Sequence, residues 1–254
     1  MFIRHPASVD TTASASVARM QFTLSLTIAV DCGSPSSARS AGRPLVVVAH
    51  DRSRCGGSVR PAGLAKARRA MRLAGELGVP VLTLIDTPGA EISEAAERGA
   101  IAGEVALTLE ALAAVELPVV SVLLGQGGSG AAIAFLPADR TLALARAGLW
   151  VLAPEGASAI LFRDSHHAPQ LARNQGGAAA ELLRHGIVDE LVEEDDELAV
   201  TAAALERAID RSLRELVALA PAERLARRDR RLRSLASPVG DDGALPAGAK
   251  KLPS

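Results

Sequence analysis

Two glycine-bearing turns hold the residues of this chain best suited to chemistry. The first is Gly125-Gln126-Gly127-Gly128-Ser129-Gly130-Ala131-Ala132, which follows the apolar run Pro118 to Leu124 and opens a small-residue stretch, Ala131 to Phe135. Residues without bulky side chains let a ligand approach the backbone. The first N–H groups of a helix lack an intrahelical acceptor, and the dipole there favours negative charge. This turn could therefore hold an anion or an oxyanion. The same glycines would equally serve close packing of a helix on a strand. Ser129 adds another option, because Gly127-Gly128-Ser129-Gly130-Ala131 is close to the G-x-S-x-G nucleophile elbow. A serine hydrolase using Ser129 would need a later His, and His166, His167 and His185 are available, with Asp189 near. The pair His166-His167 sits in FRDSHHAPQ, a polar stretch of surface character.

The second turn ends LTLIDTPGAE, Leu82 to Glu91, in which Asp86-Thr87-Pro88-Gly89 matches the D-x-x-G of a GTPase. Nucleotide hydrolysis also needs G-x-x-x-x-G-K-[ST], with its Lys on the phosphates. The three lysines, Lys66, Lys250 and Lys251, lie in no such loop. Other chemistries are poorly supplied. Cys32 and Cys55 have no C-x-x-C neighbour or nearby His pair, so no metal site is expected. Glu91, Glu94 and Glu97 stand at helical spacing, and Glu193 to Glu197 (EEDDE) precedes a helix; such runs read as solvated faces. A net charge of −1 and 2% aromatic residues, without Tyr, exclude nucleic-acid platforms. No apolar run reaches the roughly 18 to 20 residues of a membrane span. Phe22 to Val30 lacks the basic flank and the cleavage site of a secretory signal. A cytoplasmic protein is expected.

The turns require strands to carry them. Pro44 to His50 (PLVVVAH) is a continuous β-branched run, and Pro61 to Leu77 has helical spacing that Gly78 ends. GVPVLTLIDTPG (78–89), ELPVVSVLLGQGGSG (116–130) and AGLWVLAPEGAS (147–158) then repeat one pattern of strand, tight turn and helix. They recur every 30 to 40 residues or so, the length of one such unit. Repetition on that scale predicts stacked strand-strand-helix turns in an α/β fold, with ligand sites at the C-terminal strand ends. Glu197 to Leu235 reads as long helix broken at Pro221. We expect residues 1–42 to be a low-complexity extension with one edge strand at most, 43–235 the functional domain, and 236–254 a flexible tail.

Taken together, RPAGLAKARRAMRLAGELGVPVLTLIDTPGA (60–90), AAERG (95–99), LPVVSVLLGQGGSGAA (117–132), APEGASAILFRD (153–164) and LLRHGIVDELVEE (182–194) resemble the α-type half of acyl-CoA carboxylase carboxyltransferases. The resemblance implies a crotonase-like spiral of strand-strand-helix units with C-terminal helices. It also implies transfer of CO₂ from N-carboxybiotin to acetyl-CoA or a related acyl-CoA, giving malonyl-CoA for fatty acid biosynthesis. The family's backbone oxyanion donors fall on Gly130 and Ala131, where Gly-Gly is common. Gly127, Gly128 and Ser129 would shape the loop; Pro88, Gly89 and Ala90 would line one neighbouring turn and Glu155-Gly156 another. After DTPGA the family usually has a Tyr-Pro-Gly-containing loop, whereas this chain has Glu91-Ile92-Ser93.

The chain contains no Met-Lys biotinylation tetrapeptide, no ATP-binding glycine loop and no four-cysteine zinc module. Within the resemblance, biotin then arrives on a separate biotin carboxyl carrier protein, a biotin carboxylase charges it, and a β-type carboxyltransferase subunit completes the site. Nucleic-acid and membrane partners are not expected. Three alternatives stand beside this reading: a biotin-independent malonyl decarboxylase-type subunit, the serine hydrolase on Ser129, and a degenerate, non-catalytic subunit.

Overall fold

The computed structural model describes residues 27–30, 38–40, 43–52 and 55–236. The predicted buried strand is β3 (Arg43–His50), and it pairs in parallel with β4 (Val81–Thr87). Between them runs α1 (Pro61–Leu77), whose limits agree with the sequence reading. Proline occupies its first turn, where a missing N–H costs nothing, and Gly78 closes it at φ 65. Its buried residues, Leu64, Ala67, Met71 and Ala74 among them, recur at three- and four-residue spacing. All seven residues of β4 are buried, as expected of a parallel strand covered on both faces.

The helices α2 (Glu94–Arg98) and α3 (Ile101–Ala113) lead to β5 (Val119–Gly128), the longest strand, which runs into α4 (Ser129–Ile133). Then come β6 (Arg140–Leu144), β7 (Gly148–Trp150), α5 (Pro154–Phe162), α6 (Ala168–Asn174), α7 (Ala179–Arg184) and β8 (Glu190–Val192). Two long helices close the described chain, α8 (Leu198–Val217) and α9 (Pro221–Ala236), separated at the predicted proline break.

Preceding β3 are β1 (Thr27–Val30) and β2 (Ala38–Ser40). The main path of the sheet is β1-β3-β4-β5-β6-β8, and every pairing in it is parallel; β2, off this path, pairs antiparallel with β3. The sheet thus begins before residue 43, ahead of the boundary expected from composition, because short strands can join an edge without a long apolar run. The expected tail falls outside the described residues except for Ala236, the last residue of α9.

The expected strand-strand-helix unit is visible in the pairing. β5 divides its partners: Val120 to Leu123 face β6, and Gln126 to Gly128 face β7. A second row of short pairings therefore runs beside the main sheet, and the bridge of Val59 with Ala90 belongs to it. The core lies between sheet and helices, around Val46, Val47, Leu82, Ile85, Val120, Leu123, Phe135 and Leu142, all under 2% exposed.

The last helix is held by charge rather than by apolar area. Arg224, Arg228 and Arg231 share one face of α9 at i, i+4 and i+7. Arg228 forms a two-pronged pair with Asp139, Nε to Oδ1 at 2.9 Å and Nη2 to Oδ2 at 2.6 Å, and these side chains are only 1% and 2% exposed. Its Nη1 donates to the carbonyls of Ala113 and Val115, and Nη2 to that of Leu117. A guanidinium at a helix C-terminus satisfies carbonyls that the helix itself cannot. Arg224 donates to the Leu219 and Glu116 carbonyls, and Arg231 pairs with Asp189 and donates to the Ile187 carbonyl. Burial pulls the guanidinium pKa of both Arg224 and Arg231 down.

Candidate functional site

The two turns singled out in the sequence meet at the C-terminal ends of β4 and β5. Thr87 faces Gly127 in the ladder, and Ala90 N–H donates to Ser129 Oγ at 3.3 Å. The contact between them is backbone on backbone. A Cβ on Gly128 would lie 2.0 Å from the Pro88 carbonyl oxygen and 2.3 Å from its carbon. Glycine is therefore needed here for space, since φ −95 and ψ 133 suit any residue. At Gly89 both reasons apply: φ is 133, and a Cβ would meet Ser129 Oγ at 2.8 Å. The turn itself is tied down by Thr87, whose Oγ1 donates to the Gly57 carbonyl at 2.7 Å and accepts from Gly89 N–H at 3.0 Å. The D-x-x-G resemblance is thus a strand-end turn packed against the glycine loop.

From Gly128 the chain enters α4 through Ser129, which sits at φ 55, an uncommon conformation for a side chain with a Cβ. Gly130 and Ala131 follow in the first helical turn, where N–H groups have no i−4 acceptor. Ala131 is not among the positive-φ residues, so Ala serves where Gly-Gly was the expected pattern. Gly130 is half-buried, and the nearest atom to a Cβ there would be Val105 Cγ1 at 3.2 Å. Of the expected loop-shaping residues, Pro88, Gly89, Ala90, Gly127, Gly128 and Ser129 are brought together. Glu155 and Gly156 are in the first turn of α5, further along the chain, and no hydrogen bond among the described residues joins them to the loop.

Among the described residues no hydrogen bond joins Ser129 Oγ to a histidine. That oxygen accepts from Ala90 N–H, while His167 bonds through Nδ1 to Asp164 at 3.0 Å and stacks on Phe162 at 3.9 Å. The His167 and His166 contacts hold the Asp164 carboxyl below its ordinary range.

Beneath the loop lies a partly buried polar cluster that the sequence alone did not reveal: His50 at the end of β3, Arg52 just beyond it, Asp86 at the end of β4, and Gln126 in β5. Asp86 Oδ1 accepts from Arg52 Nη1 at 3.1 Å and from Gln126 N–H at 3.0 Å. Arg52 Nη1 also donates to Gln126 Oε1 at 3.1 Å. His50 Nδ1 accepts the Asp86 N–H at 3.3 Å, and its ring meets Phe135 edge-on at 4.8 Å. His50, Asp86 and Gln126 are polar residues ending apolar strands, which was the available signal. A separate groove of about 470 Å³ between α1 and α3, lined by Arg68, Met71, Arg72 and Leu117 among others, lies by the N-terminal end of β5 and away from the loop.

Burial lowers the His50 pKa from 6.5 to about 3, so the imidazole is neutral in the fold. The unfolded chain takes up its proton near the ordinary value. Stability from this group is therefore complete above pH 6.5, falls by about 1.4 kcal/mol per unit as pH drops from there towards 3, and levels off below. We expect wild type to lose about 2 to 3 kcal/mol more between pH 6 and pH 4 than His50→Gln does. Urea denaturation at each pH checks this; parallel curves for the two proteins would refute it.

Comparison with known proteins agrees with this outline. The acetyl co-enzyme A carboxylase carboxyltransferase-like family matches residues 37–236. A probable biotin-dependent acyl-coenzyme A carboxylase beta3 subunit of Mycobacterium tuberculosis (strain ATCC 25618 / H37Rv) is 46% identical over 207 residues, 79% of this chain and 42% of that protein. An acetyl-coenzyme A carboxylase carboxyl transferase subunit alpha of Rubrobacter xylanophilus is 40% identical over 215 residues, 79% of this chain and 67% of that one. This chain thus spans less than half the length of its mycobacterial relative. Among solved structures, transcarboxylase 12S superposes with a TM-score of 0.61 at 24% identity, over 70% of this chain and 35% of that one. A chain of a Pseudomonas malonate decarboxylase hetero-tetramer with coenzyme A superposes with 0.63 at 17% identity, over 79% and 88%. These two speak for the fold alone, which is crotonase-like.

Proposed function

The chain belongs to the acetyl co-enzyme A carboxylase carboxyltransferase-like family, and on that premise we propose that it is the α-type half of a biotin-dependent acyl-CoA carboxylase. It transfers a carboxyl group from N-carboxybiotin to acetyl-CoA or a related acyl-CoA, giving malonyl-CoA for fatty acid biosynthesis in the cytoplasm. The observation that carries the reading is the packing of Gly128 on the Pro88–Gly89 backbone. In this proposal that packing positions the N–H groups of Gly130 and Ala131, in the first turn of a helix, on a loop built from glycine, serine and alanine.

Such a loop fits the biotin ring and its carbonyl, because the donors are backbone N–H groups on small residues. Bound there, carboxybiotin supplies the CO₂ and the base for the thioester α-proton. The chain contributes by holding negative charge as it develops on the bound carbonyl oxygen. Gly130 N–H and Ala131 N–H are the donors, and each donor of this kind lowers a barrier by about 3 kcal/mol. Thr87 and Asp86 hold the two turns that carry the site. Among the described residues no group of three or more His, Cys, Asp or Glu could hold a metal ion.

A second half of the site is part of the proposal. β7 pairs beside Gln126–Gly128, and directly after it Val151 is 78% exposed; α5 then presents Ile160, Leu161 and Phe162 to solvent, and Ile92 beside the DTPGA turn is 99% exposed. Neighbouring exposed apolar side chains such as Ile160, Leu161 and Phe162 mark a surface that another protein covers. We assign that partner as a β-type carboxyltransferase subunit, with a biotin carboxyl carrier protein and a biotin carboxylase completing the assembly.

The test is reverse transfer: malonyl-CoA plus biocytin, with this chain alone and with a co-expressed β-type subunit. Acetyl-CoA formation that needs both biocytin and the partner is the expected result. Formation without biocytin would instead assign the chain to the malonyl decarboxylases. Stable co-purification without turnover on any malonyl analogue would leave it a non-catalytic subunit.

A further inference from the structure

The ladder between β4 and β5 is uneven. Ile85 faces Leu123 and Thr87 faces Gly127, so β4 advances two residues while β5 advances four. Two surplus residues in β5 cannot lie flat, and the strand bulges at Leu124-Gly125-Gln126 before it reaches the glycine loop. Bulges bend a strand and re-aim the residues beyond them, and they recur next to active sites. The bulge is fixed by the single residue opposite, Asp86, which is 6% exposed.

Its carboxylate Oδ1 takes the Gln126 N–H at 3.0 Å, a donor that the irregular ladder would otherwise leave over. A Cβ on Gly125 would come within 2.9 Å of the same oxygen, so the bulge is drawn directly onto it. Arg52 Nη1 bridges Asp86 Oδ1 and the Gln126 side-chain oxygen at 3.1 Å each, closing a ring of three residues from three segments. A buried carboxylate with a cationic partner and a backbone donor is held in one orientation. We propose that Asp86 is a positioning residue for carboxyl transfer: it clamps the β5 bulge, and the clamp sets where the N–H groups of Gly130 and Ala131 stand, four and five residues further on. Arg52 orients the clamp. The catalytic part of this inference rests on the carboxyltransferase reading; the mechanical part does not.

The experiment compares wild type, Asp86→Ala and Asp86→Asn in the full chain, co-expressed with the β-type subunit. Asn keeps an oxygen acceptor for Gln126 N–H, while Ala removes it. Amide hydrogen exchange across residues 119–135 is the first readout. In Asp86→Ala it should quicken at least tenfold over 124–131 while α1 exchanges as in wild type, and Asp86→Asn should restore most of the protection. The second readout is reverse transfer. Asp86→Ala should lose about 100-fold in kcat, the cost of a misplacement near 1 Å, with KM for the acyl-CoA within about threefold, and Asp86→Asn should recover to within about tenfold of wild type. Unchanged exchange in the loop, or faster exchange spread evenly over the chain, would overturn the proposal. So would a loosened loop with kcat intact. If Asp86→Ala does not fold, Arg52→Ala takes its place: faster exchange over 124–131 than in wild type, with α1 unchanged, is the expected result, and wild-type exchange in the loop overturns the proposal. Absence of wild-type turnover refutes the carboxyltransferase reading instead, and the exchange result then decides for or against the clamp by itself.

Discussion

Gly128→Ala is expected to abolish about 99% or more of the proposed carboxyl transfer while leaving a folded chain. The added methyl would stand 2.0 Å from the Pro88 carbonyl oxygen, 2.3 Å from its carbon and 2.9 Å from Gly89 N, all of them backbone atoms that no rotamer change can move aside. One of the two turns must retreat by about an ångström, and a displacement of that size in a catalytic constellation costs about 100-fold. Overpacking of this kind destabilises by about 1 to 3 kcal/mol. Gly103→Ala provides the contrast. It lies inside α3, where a Cβ would meet only Ala100 Cβ at 4.0 Å. It should keep full activity and gain up to about 1 kcal/mol from helix propensity. Reverse-transfer kinetics and urea melts on both variants check the pair; a Gly128→Ala protein with wild-type kcat would sink the account of the loop.

Arg228→Ala carries the largest expected loss of stability, about 3 to 5 kcal/mol. The guanidinium is buried against Asp139 and the backbone carbonyls of Leu112, Ala113, Val115 and Leu117, so its removal takes both prongs from a carboxylate that is 2% exposed and leaves those carbonyls without this donor. Asp139 retains the Val119 N–H at 2.8 Å and the Arg224 guanidinium, whose Nε stands 3.8 Å from Oδ2, and neither replaces the two-pronged pair. Arg228→Lys should recover little, because a point charge cannot serve two carboxylate oxygens and four carbonyls at once. Chemical denaturation is the measurement, and a loss under about 1 kcal/mol for Arg228→Ala would show that the clamp does not hold the fold together.

Local signals carried much of the fold. Pro61 and Gly78 bound a helix by their own backbone chemistry, so α1 could be delimited to the residue. The β-branched run of β3 and the three repeated strand-turn-helix stretches needed no distant information. What could not be read locally was which polar residues turn inward. The arginine-rich C-terminal segment reads as helix after Pro221, but hydropathy cannot register that the carbonyls of Ala113, Val115 and Leu117, more than 100 residues earlier, await its donors. Asp86 likewise looked like part of a nucleotide motif; its partners Arg52 and Gln126 lie 34 and 40 residues away. Both turns of the candidate site were legible as turns. Their mutual contact, which gives Gly128 its meaning, was not.

The division of β5 between two neighbours bears on how the protein reaches its native state. Its first half needs β6, its second half needs β7, and both need β4 on the other edge. Parallel partners are joined only through long crossovers, so none of these pairings can zip up from a hairpin. Closure entropy must be met several times before the ladder is complete, which places such a chain among slowly folding topologies. During that interval β5 is an apolar strand with two unsatisfied edges. In a crowded cell it is the segment most exposed to wrong partners, and thus the one a chaperone would be expected to shield.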